Sequence, residues 1–298
     1  MLKPSKKQNS RRKFLRDSAL AGGGVLAVSA GAATLAAETA PSGSPNEVIR
    51  TIHALRSIHG NFLDKPVPEA ALQTILQASL RAANASNNQS YSIVVIKDRD
   101  MMGRVCSYKG GCLLLYCADY NRHKASAKSL GHAFDPGTME DFVTASINTV
   151  LAAQTAVIAA RSLGIDSLLT NGIHRGDMER LWTLLDLPQT HCFPIIALVL
   201  GYHTQEPAVL KGRLDGAGVI HNEKYHRLTK EETEEITRKY DDKQRHLGLN
   251  DTWDGQGYKH YLDWYFKAWI GEPAKARTEE TQMLRRLKRS GFVELQTA

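Results

Sequence analysis

Three short apolar runs constrain the fold of this chain more than any other feature of its sequence. They cover residues 91–96, 111–118 and 194–200, and each is rich in β-branched or other apolar side chains. Runs of this length are typical of strands. Because apolar side chains point to both faces of such strands, we expect a sheet that other elements cover on both sides.

Apolar residues at helical spacing predict the covering layers. The predicted helices cover residues 47–58, 68–83, 141–163, 177–185, 229–242 and 279–295. Six aromatic residues lie within 258–270, and we expect this segment to fold back onto the body or onto a second subunit. Helices alternate with strands without internal repeats, so the residues alone allow an α/β or an α+β class.

Charge is concentrated at the N-terminus. Of the formal net charge of +7 on 298 residues, the first 40 residues carry +5, from seven basic and two acidic side chains, and the rest carries +2. The basicity of the whole chain therefore does not predict a nucleic-acid partner.

The N-terminal segment has the three parts of an export signal. The basic run SRRKFL covers residues 10–15, a stretch of small and apolar residues covers 19–37, and a Pro- and Ser-rich exit follows. The paired arginines resemble a twin-arginine signal, the bacterial route for proteins exported in the folded state. We expect cleavage within 36–40 and a periplasmic location, with retention as a membrane anchor as the alternative.

The expected organisation has three parts. A signal peptide covers 1–40, a linker covers 41–46, and one domain covers 47–298, with a C-terminal aromatic and helical extension from about residue 243. Because folded export suits proteins that receive a cofactor in the cytoplasm, the signal favours a redox enzyme.

The four cysteines are too few for a disulfide scaffold in a chain of this length. Cys106 and Cys112 could form a disulfide, and both could join Cys117 and His123 in a metal-ligand set. The spacing matches no compact zinc pattern, so we favour buried structural cysteines and predict no metal site.

Signatures of several large enzyme classes are absent from the sequence. It contains no GxSxG, P-loop, HExxH or post-strand GxGxxG motif. This speaks against serine hydrolases, nucleoside triphosphatases, zinc proteases and Rossmann dehydrogenases.

Three polar clusters remain at the ends of predicted elements. They are the run RSIH at 56–59, the Asn- and Ser-rich turn at 84–89, and the run NGIHR at 171–175. Cationic and amide groups at element ends can hold phosphate groups and ring heteroatoms. Taken alone, each cluster is more often a helix cap or a turn.

Together the clusters carry a resemblance to a known family. The run at 56–59, with Asn61-Phe62 and Pro66-Val67-Pro68 after it, resembles the opening motif of the nitroreductase family. The turn ending in Gln89 resembles the segment with which that family contacts its flavin. Residues 117–123, 141–202 and 211–214 are similar to the oxygen-insensitive, NADPH-linked branch.

The resemblance implies an α+β sandwich with a mostly antiparallel central sheet flanked by helices. It also implies a homodimer that binds FMN at its subunit interface. The implied cofactor-binding residues are Arg56, Ser57, His59, Asn87, Gln89, Asn171, Gly172, His174, Arg175, Lys211 and Arg213.

The roles of these residues follow from the same resemblance. Arg56 and Ser57 correspond to contacts with the phosphate end of FMN, and Asn87 and Gln89 to contacts with the ribityl chain or ring. Gly172 would let the backbone approach the isoalloxazine ring. The basic pair Lys211 and Arg213 corresponds to cations near the phosphate or nucleotide site.

Two positions depart from the family motif. His59 and His174 stand where arginines are expected, and Arg175 could restore one cation. A neutral imidazole cannot make the bidentate phosphate contact of a guanidinium. The segment 98–111 is also shorter than in the relatives, and the aromatic region after Trp253 does not match their arginine-bearing loop.

The expected function is FMN-dependent electron transfer in two half-reactions. The donor is NAD(P)H or another reductant, and the acceptor a nitroaromatic, a quinone or a similar compound. No catalytic side chain is predicted, because the flavin carries the chemistry. The alternatives are an exported flavin-binding protein without activity and an FMN-dependent dehydrogenase working in the oxidative direction. The expected partners are the small-molecule donor and acceptor, the twin-arginine export machinery and a second copy of the chain, with neither nucleic acid nor a stable membrane anchor.

Overall fold

The computed structural model describes residues 46–175, 177–205, 207–271 and 282–293. The predicted signal peptide and residues 41–45 of the predicted linker lie outside the described residues.

Four strands form one sheet in the order β1-β2-β4-β3, and every neighbouring pair is antiparallel. The strands are β1 (Tyr91–Ile96), β2 (Cys112–Asp119), β3 (Asp166–Thr170) and β4 (Cys192–Gly201). β1, β2 and β4 match the three predicted runs. β3 was not predicted, because its sequence DSLLT is short and begins with polar residues.

Helices and short helical turns connect and cover the strands. The helices are α1 (Glu47–His53), α2 (Glu69–Leu80), α3 (Arg99–Cys106), α4 (Asn121–Ser129), α5 (Met139–Ser162), α6 (Arg180–Leu184), α7 (Lys230–Asp241), α8 (Tyr261–Trp264) and α9 (282–289). α8 continues as the π-helix Tyr265–Ile270. α3 and α4 were not predicted, and α6 is shorter than expected.

α1 ends at His53, five residues before the predicted end. The chain that follows is extended, and the backbone N–H of Ile58 donates to the carbonyl of Ser167 in β3 over 3.0 Å. Residues 54–58, which the apolar spacing predicted to be helical, therefore lie along the edge of the sheet beside β3.

β2 lies at the centre of the core, and all eight of its residues are buried. Leu113 and Leu115 face a cluster that includes side chains of α3, α6 and α9. Leu114 and Tyr116 face a second cluster, formed with α2 and α5. This confirms the prediction of a sheet covered on both faces.

α5 is the long helix of the second layer. It begins with a capping box in which the Thr138 hydroxyl accepts from the N–H of Asp141 and the Asp141 carboxylate accepts in return. Eight of its residues are buried against the sheet and α2, and five of these are alanines, which let the helix approach closely. Its length and apolar composition also satisfy a test for a membrane span, but the buried residues make it a core helix.

The outer face of α5 is apolar and exposed. Val143 and Ile147 are 47% and 53% exposed, and Val48 and Ile52 of the neighbouring α1 are exposed as well. A contiguous apolar surface of this kind usually marks an interface.

The aromatic segment is ordered by its own small core. Trp253, Tyr261 and Trp264 are buried together, and the Tyr240 ring of α7 stacks on Tyr261 with 5.6 Å between ring centroids. The segment is therefore packed against α7, as the prediction that it folds back onto the body requires.

The four cysteines are free thiols and all are buried, so Cys106 and Cys112 are not bridged. Within the described ranges, no group of three or more His, Cys, Asp or Glu side chains is placed to hold a metal ion. Their burial agrees with the prediction of buried cysteines.

Candidate functional site

The segment 55–63 runs along the open edge of the sheet. Besides the bond from Ile58 to β3, the N–H of Leu63 donates to the carbonyl of Tyr202 over 2.8 Å, just after β4. This attachment places Arg56 beside Asp166, the first residue of β3.

Arg56 and Arg161 share one carboxylate. Arg56 places its Nη2 2.9 Å and its Nε 3.0 Å from Oδ1 of Asp166, and Nη1 of Arg161 lies 3.3 Å from the same oxygen. The Arg56 and Asp166 side chains are only 11% and 8% exposed. Two guanidinium groups therefore meet one carboxylate, at a position where solvent screening is reduced.

This cluster opens onto a surface groove with a volume of about 230 Å³. The groove is lined by Ala54, Arg56, Arg161, Pro207, Val209 and Leu210. It therefore joins two guanidinium groups to an apolar wall, an arrangement that suits an anionic group attached to an organic ligand.

Lys211 and Arg213 follow this wall in the sequence, but their cationic groups contact backbone carbonyls. Lys211 Nζ donates to the carbonyl of Gly248 over 2.8 Å. Arg213 Nη1 donates to the carbonyls of Lys211 and Gly212 over 3.1 and 2.8 Å. Both side chains are exposed; Lys211 joins its loop to the segment at Gly248, and Arg213 bonds within its own loop.

Ser57 and His59 lie on the same edge segment as Arg56, and both are exposed. The His59 ring meets the ring of Tyr108 edge-on, with 6.5 Å between centroids.

Asn87 and Gln89 lie in the turn between α2 and β1, and both are exposed. Gln89 Nε2 donates to the carbonyl of Asn87 over 3.3 Å. The two amide side chains are therefore adjacent, and they offer donors and acceptors to solvent on one turn.

The run 171–175 follows β3 and contains a short 3₁₀-helix, Gly172–His174. Asn171 and Arg175 are exposed, and the N–H of Gly172 donates to Thr170 Oγ1 over 3.0 Å. The His174 ring differs from the prediction: it is turned toward the core, and its Nε2 donates to the carbonyl of Pro194 over 2.9 Å.

Burial lowers the pKa of His174, and the nearby Arg286 guanidinium acts in the same direction. The ring is also in contact with Phe193, at 6.1 Å between centroids. His174 is therefore a neutral hydrogen-bond donor inside the fold and does not supply a cation in place of the family's arginine.

The register of the sheet separates the predicted site residues into two groups. Asp166, the partner of Arg56, pairs with Gly201 at one end of β4. The turn carrying Asn87 and Gln89 precedes Tyr91, which is aligned through β2 with Phe193 at the other end. Phe193 and Gly201 are eight positions apart along β4, which places the two ends roughly 26 Å from each other.

Two residues of the charged cluster were not predicted from the sequence. Arg161 lies within a stretch that resembles the family but received no role, and Asp166 lies in the strand that was missed. The sequence offers no local signal for their pairing with Arg56, since Asp166 is 110 positions away along the chain.

Comparisons with known proteins identify the family of the chain. A model of the Nitroreductase family matches residues 52–109, which include the Arg56 segment and the amide turn. An FMN reductase [NAD(P)H] of Bacillus subtilis is 30% identical over 208 residues, covering 66% of this chain and 81% of the relative. An oxygen-insensitive NADPH nitroreductase of Salmonella typhimurium is 31% identical over 195 residues, covering 63% and 76%.

The solved structure of NfrA2 from Bacillus megaterium superposes with a TM-score of 0.69 at 27% identity, over 85% of this chain and all of that one. The chain belongs to the nitroreductase family. This confirms the predicted α+β nitroreductase-like fold and the predicted enzyme class, an oxidoreductase. It also confirms FMN as the flavin to expect, since the Bacillus subtilis relative is named for it.

The half-buried ring of His174, whose pKa is lowered by desolvation, predicts a pH-dependent stability. The pKa of His174 in the folded protein lies below the value of about 6.5 in the unfolded chain, so the unfolded chain binds the proton more readily. The contribution of His174 to stability is therefore complete above about pH 6.5 and is lost as the pH falls from there through the folded pKa. We expect His174→Gln, which keeps a donor for Pro194 without titrating, to reduce the loss of unfolding free energy between pH 7.5 and 5.5. The reduction is at most about 1.4 kcal/mol per pH unit, and urea denaturation at both pH values measures it.

The matched control is His132→Gln, which changes an exposed histidine. An unchanged pH dependence in His174→Gln would show that the ring is not buried neutral in solution.

Proposed function

We propose that this chain is an FMN-dependent oxidoreductase that transfers electrons from a reduced donor to an electron-poor organic acceptor such as a quinone or a nitroaromatic. The observation that carries the proposal is the pair Arg56 and Arg161 on Asp166 beside an open groove, within a chain of the nitroreductase family.

The groups present fit FMN at both of its ends. The guanidinium groups of Arg56 and Arg161 suit the phosphate dianion, because guanidinium groups bind phosphate through paired, charge-assisted hydrogen bonds. The exposed amides of Asn87 and Gln89 match the donors and acceptors of the ribityl chain and the ring edge. At Gly172 an added Cβ would lie 3.1 Å from Thr170 Oγ1, a tight contact that glycine avoids.

One subunit does not bring these two groups together. The distance of roughly 26 Å between the ends of β4 exceeds the length of an extended FMN molecule. We therefore propose a homodimer in which the Arg56 segment of one subunit faces the amide turn of the other. The exposed apolar residues of α5 and α1 support this, since a two-fold axis would cover them with the same surface of the second copy.

Bound FMN would supply the redox chemistry, accepting a hydride from the donor and returning the electrons to the acceptor in a separate half-reaction. The residues of the chain bind and orient it: Arg56 and Arg161 hold the phosphate end, and the amide turn fixes the ring. No side chain is assigned as a catalytic acid or base.

We also propose that the protein is exported through the twin-arginine route and acts in the periplasm. The support is the run SRRKFL at 10–15 and the apolar stretch that follows. Nicotinamide nucleotides are scarce outside the cytoplasm, so the donor there is a different reductant or the reaction runs in the oxidative direction.

Replacing Arg56 tests the phosphate contact. We expect Arg56→Gln to weaken FMN binding by about 10- to 100-fold, the range for losing a hydrogen bond to a charged group. It should leave the affinity for riboflavin, which lacks the phosphate, unchanged. Quenching of flavin fluorescence on titration with the apo-protein measures both affinities.

The control is Arg104→Gln, which removes the same charge from an exposed position on α3. Equal losses for FMN and riboflavin would assign Arg56 a structural role, and failure of the unaltered protein to bind FMN would overturn the proposed function.

Rapid mixing tests the reaction. If FMN-loaded protein mixed anaerobically with NADPH or NADH loses its visible flavin absorbance, and added quinone restores it, the chain can work as an NAD(P)H-linked reductase whatever donor it meets in the periplasm. Steady-state rates at several quinone concentrations should give parallel double-reciprocal plots. If neither nucleotide reduces the bound FMN but an oxidisable organic substrate does, the result would favour the dehydrogenase. If no donor supports turnover, the chain would be a flavin-binding protein without activity.

A reporter fusion tests export. Residues 1–46 fused to a reporter should direct it to the periplasm, and Arg11→Lys with Arg12→Lys should retain most of it in the cytoplasm, because the charge is kept and only the arginine pair is lost. The reverse exchange at Lys6 and Lys7 is the matched control. Equal export of the Arg11 and Arg12 variant would argue for another route, and mass spectrometry of the exported product locates the cleavage site.

A further inference from the structure

The turn that carries Asn87 and Gln89 has an unusual backbone. Ser86, Asn87 and Gln89 all have φ near +52°, in the left-handed region that non-glycine residues rarely occupy. Conformations of this kind persist when the surrounding structure fixes them. The contacts of the turn therefore decide where its two amide side chains lie.

One buried side chain joins both ends of this turn. Asn148, at the middle of α5, is fully buried. Its Oδ1 accepts from the N–H of Ala85 at 2.9 Å, and its Nδ2 donates to Ser90 Oγ at 2.9 Å. The two ends are thus fixed to each other and to the central helix.

The other side of the turn is held by the start of α4. Arg122 Nη2 donates to the carbonyl of Gln89, and His123 Nε2 donates to the carbonyl of Asn88 over 2.8 Å. These bonds use the backbone of the turn. The side chains of Asn87 and Gln89 remain exposed.

We propose that Asn148 is a positioning residue for flavin binding: it holds the turn so that Asn87 and Gln89 meet the cofactor without rearrangement. This inference rests on the proposed function. A turn that is already ordered binds a ligand more tightly, because less conformational entropy is lost on binding.

The chemistry of the position favours an amide. The N–H of Ala85 needs an acceptor and the Ser90 oxygen receives a donor, and a carboxamide provides both without charge. Leucine has nearly the same size but would remove the acceptor of the Ala85 N–H and the donor to the fully buried Ser90, a loss that is unfavourable.

The test compares Asn148→Leu with Thr149→Val. Thr149 is the next residue of α5 and is also fully buried, but its hydroxyl bonds to the carbonyl of Ala145 within the helix. In Asn148→Leu we expect FMN affinity to fall about 10- to 100-fold and the amides of residues 85–91 to exchange faster with deuterium in the apo-protein. In Thr149→Val both should stay near the values of the unaltered protein.

Milder variants keep the inference testable where Asn148→Leu fails to fold. Ser90→Ala removes one of the two bonds and should give the same changes to a smaller degree, while Ser90→Thr keeps the hydroxyl and should restore both. Unchanged FMN affinity and exchange in Asn148→Leu, or in Ser90→Ala, would overturn the inference while the proposed function stands. If the unaltered protein does not bind FMN, the proposed function and the inference about Asn148 are both wrong.

Discussion

The burial of β2 on both faces is the constraint on which the rest of the structure depends. Its eight buried residues alternate between two cores, so the sheet requires a helical layer on each side. The candidate-site residues are then attached to the ends and edge of this sheet. The Arg56 segment adds to the edge at β3, and the amide turn leads into β1. Their separation follows from strand register.

α5 serves two surfaces at once. One side packs on the sheet through small residues and Asn148, while Val143 and Ile147 are exposed on the outside. An apolar outer face on a long helix is explained if a second copy covers it. Because Asn148 and Ile147 are consecutive residues of one helix, the turn proposed to meet the flavin and the surface proposed to meet the partner share one rigid support. Assembly and cofactor binding are then connected through α5.

Much of the fold could be predicted from the sequence, and the exceptions have physical reasons. β1, β2 and β4 are continuous apolar runs, which are readable locally. β3 begins with Asp166 and Ser167, which are buried yet polar, and their partners Arg56 and Ile58 lie over a hundred residues away. α3 did carry a signal that was overlooked, an Asp98 side chain that caps the helix by accepting from Met101.

The candidate site could be predicted only where its residues lie in locally recognisable runs. Motif resemblance pointed to Arg56, Asn87 and Gln89 because each lies in a short, recognisable run. The separation of Arg56 from the amide turn depends on strand pairing, which local patterns do not contain. Asn148 was not singled out, because one polar residue in an alanine-rich helix has no distinguishing spacing.

The two arginines missing from the family motif show how tertiary structure can supply what a motif lacks. At residue 174 an arginine pointing inward would bury a charge beside Phe193, whereas the neutral imidazole donates to Pro194 without that penalty. The second guanidinium of the charged cluster comes instead from Arg161 at the end of α5. With Arg56 it shares the carboxylate of Asp166 beside the groove. In the proposed phosphate site the second guanidinium therefore comes from the helix that ends beside β3, and the local run at 56–59 supplies only Arg56.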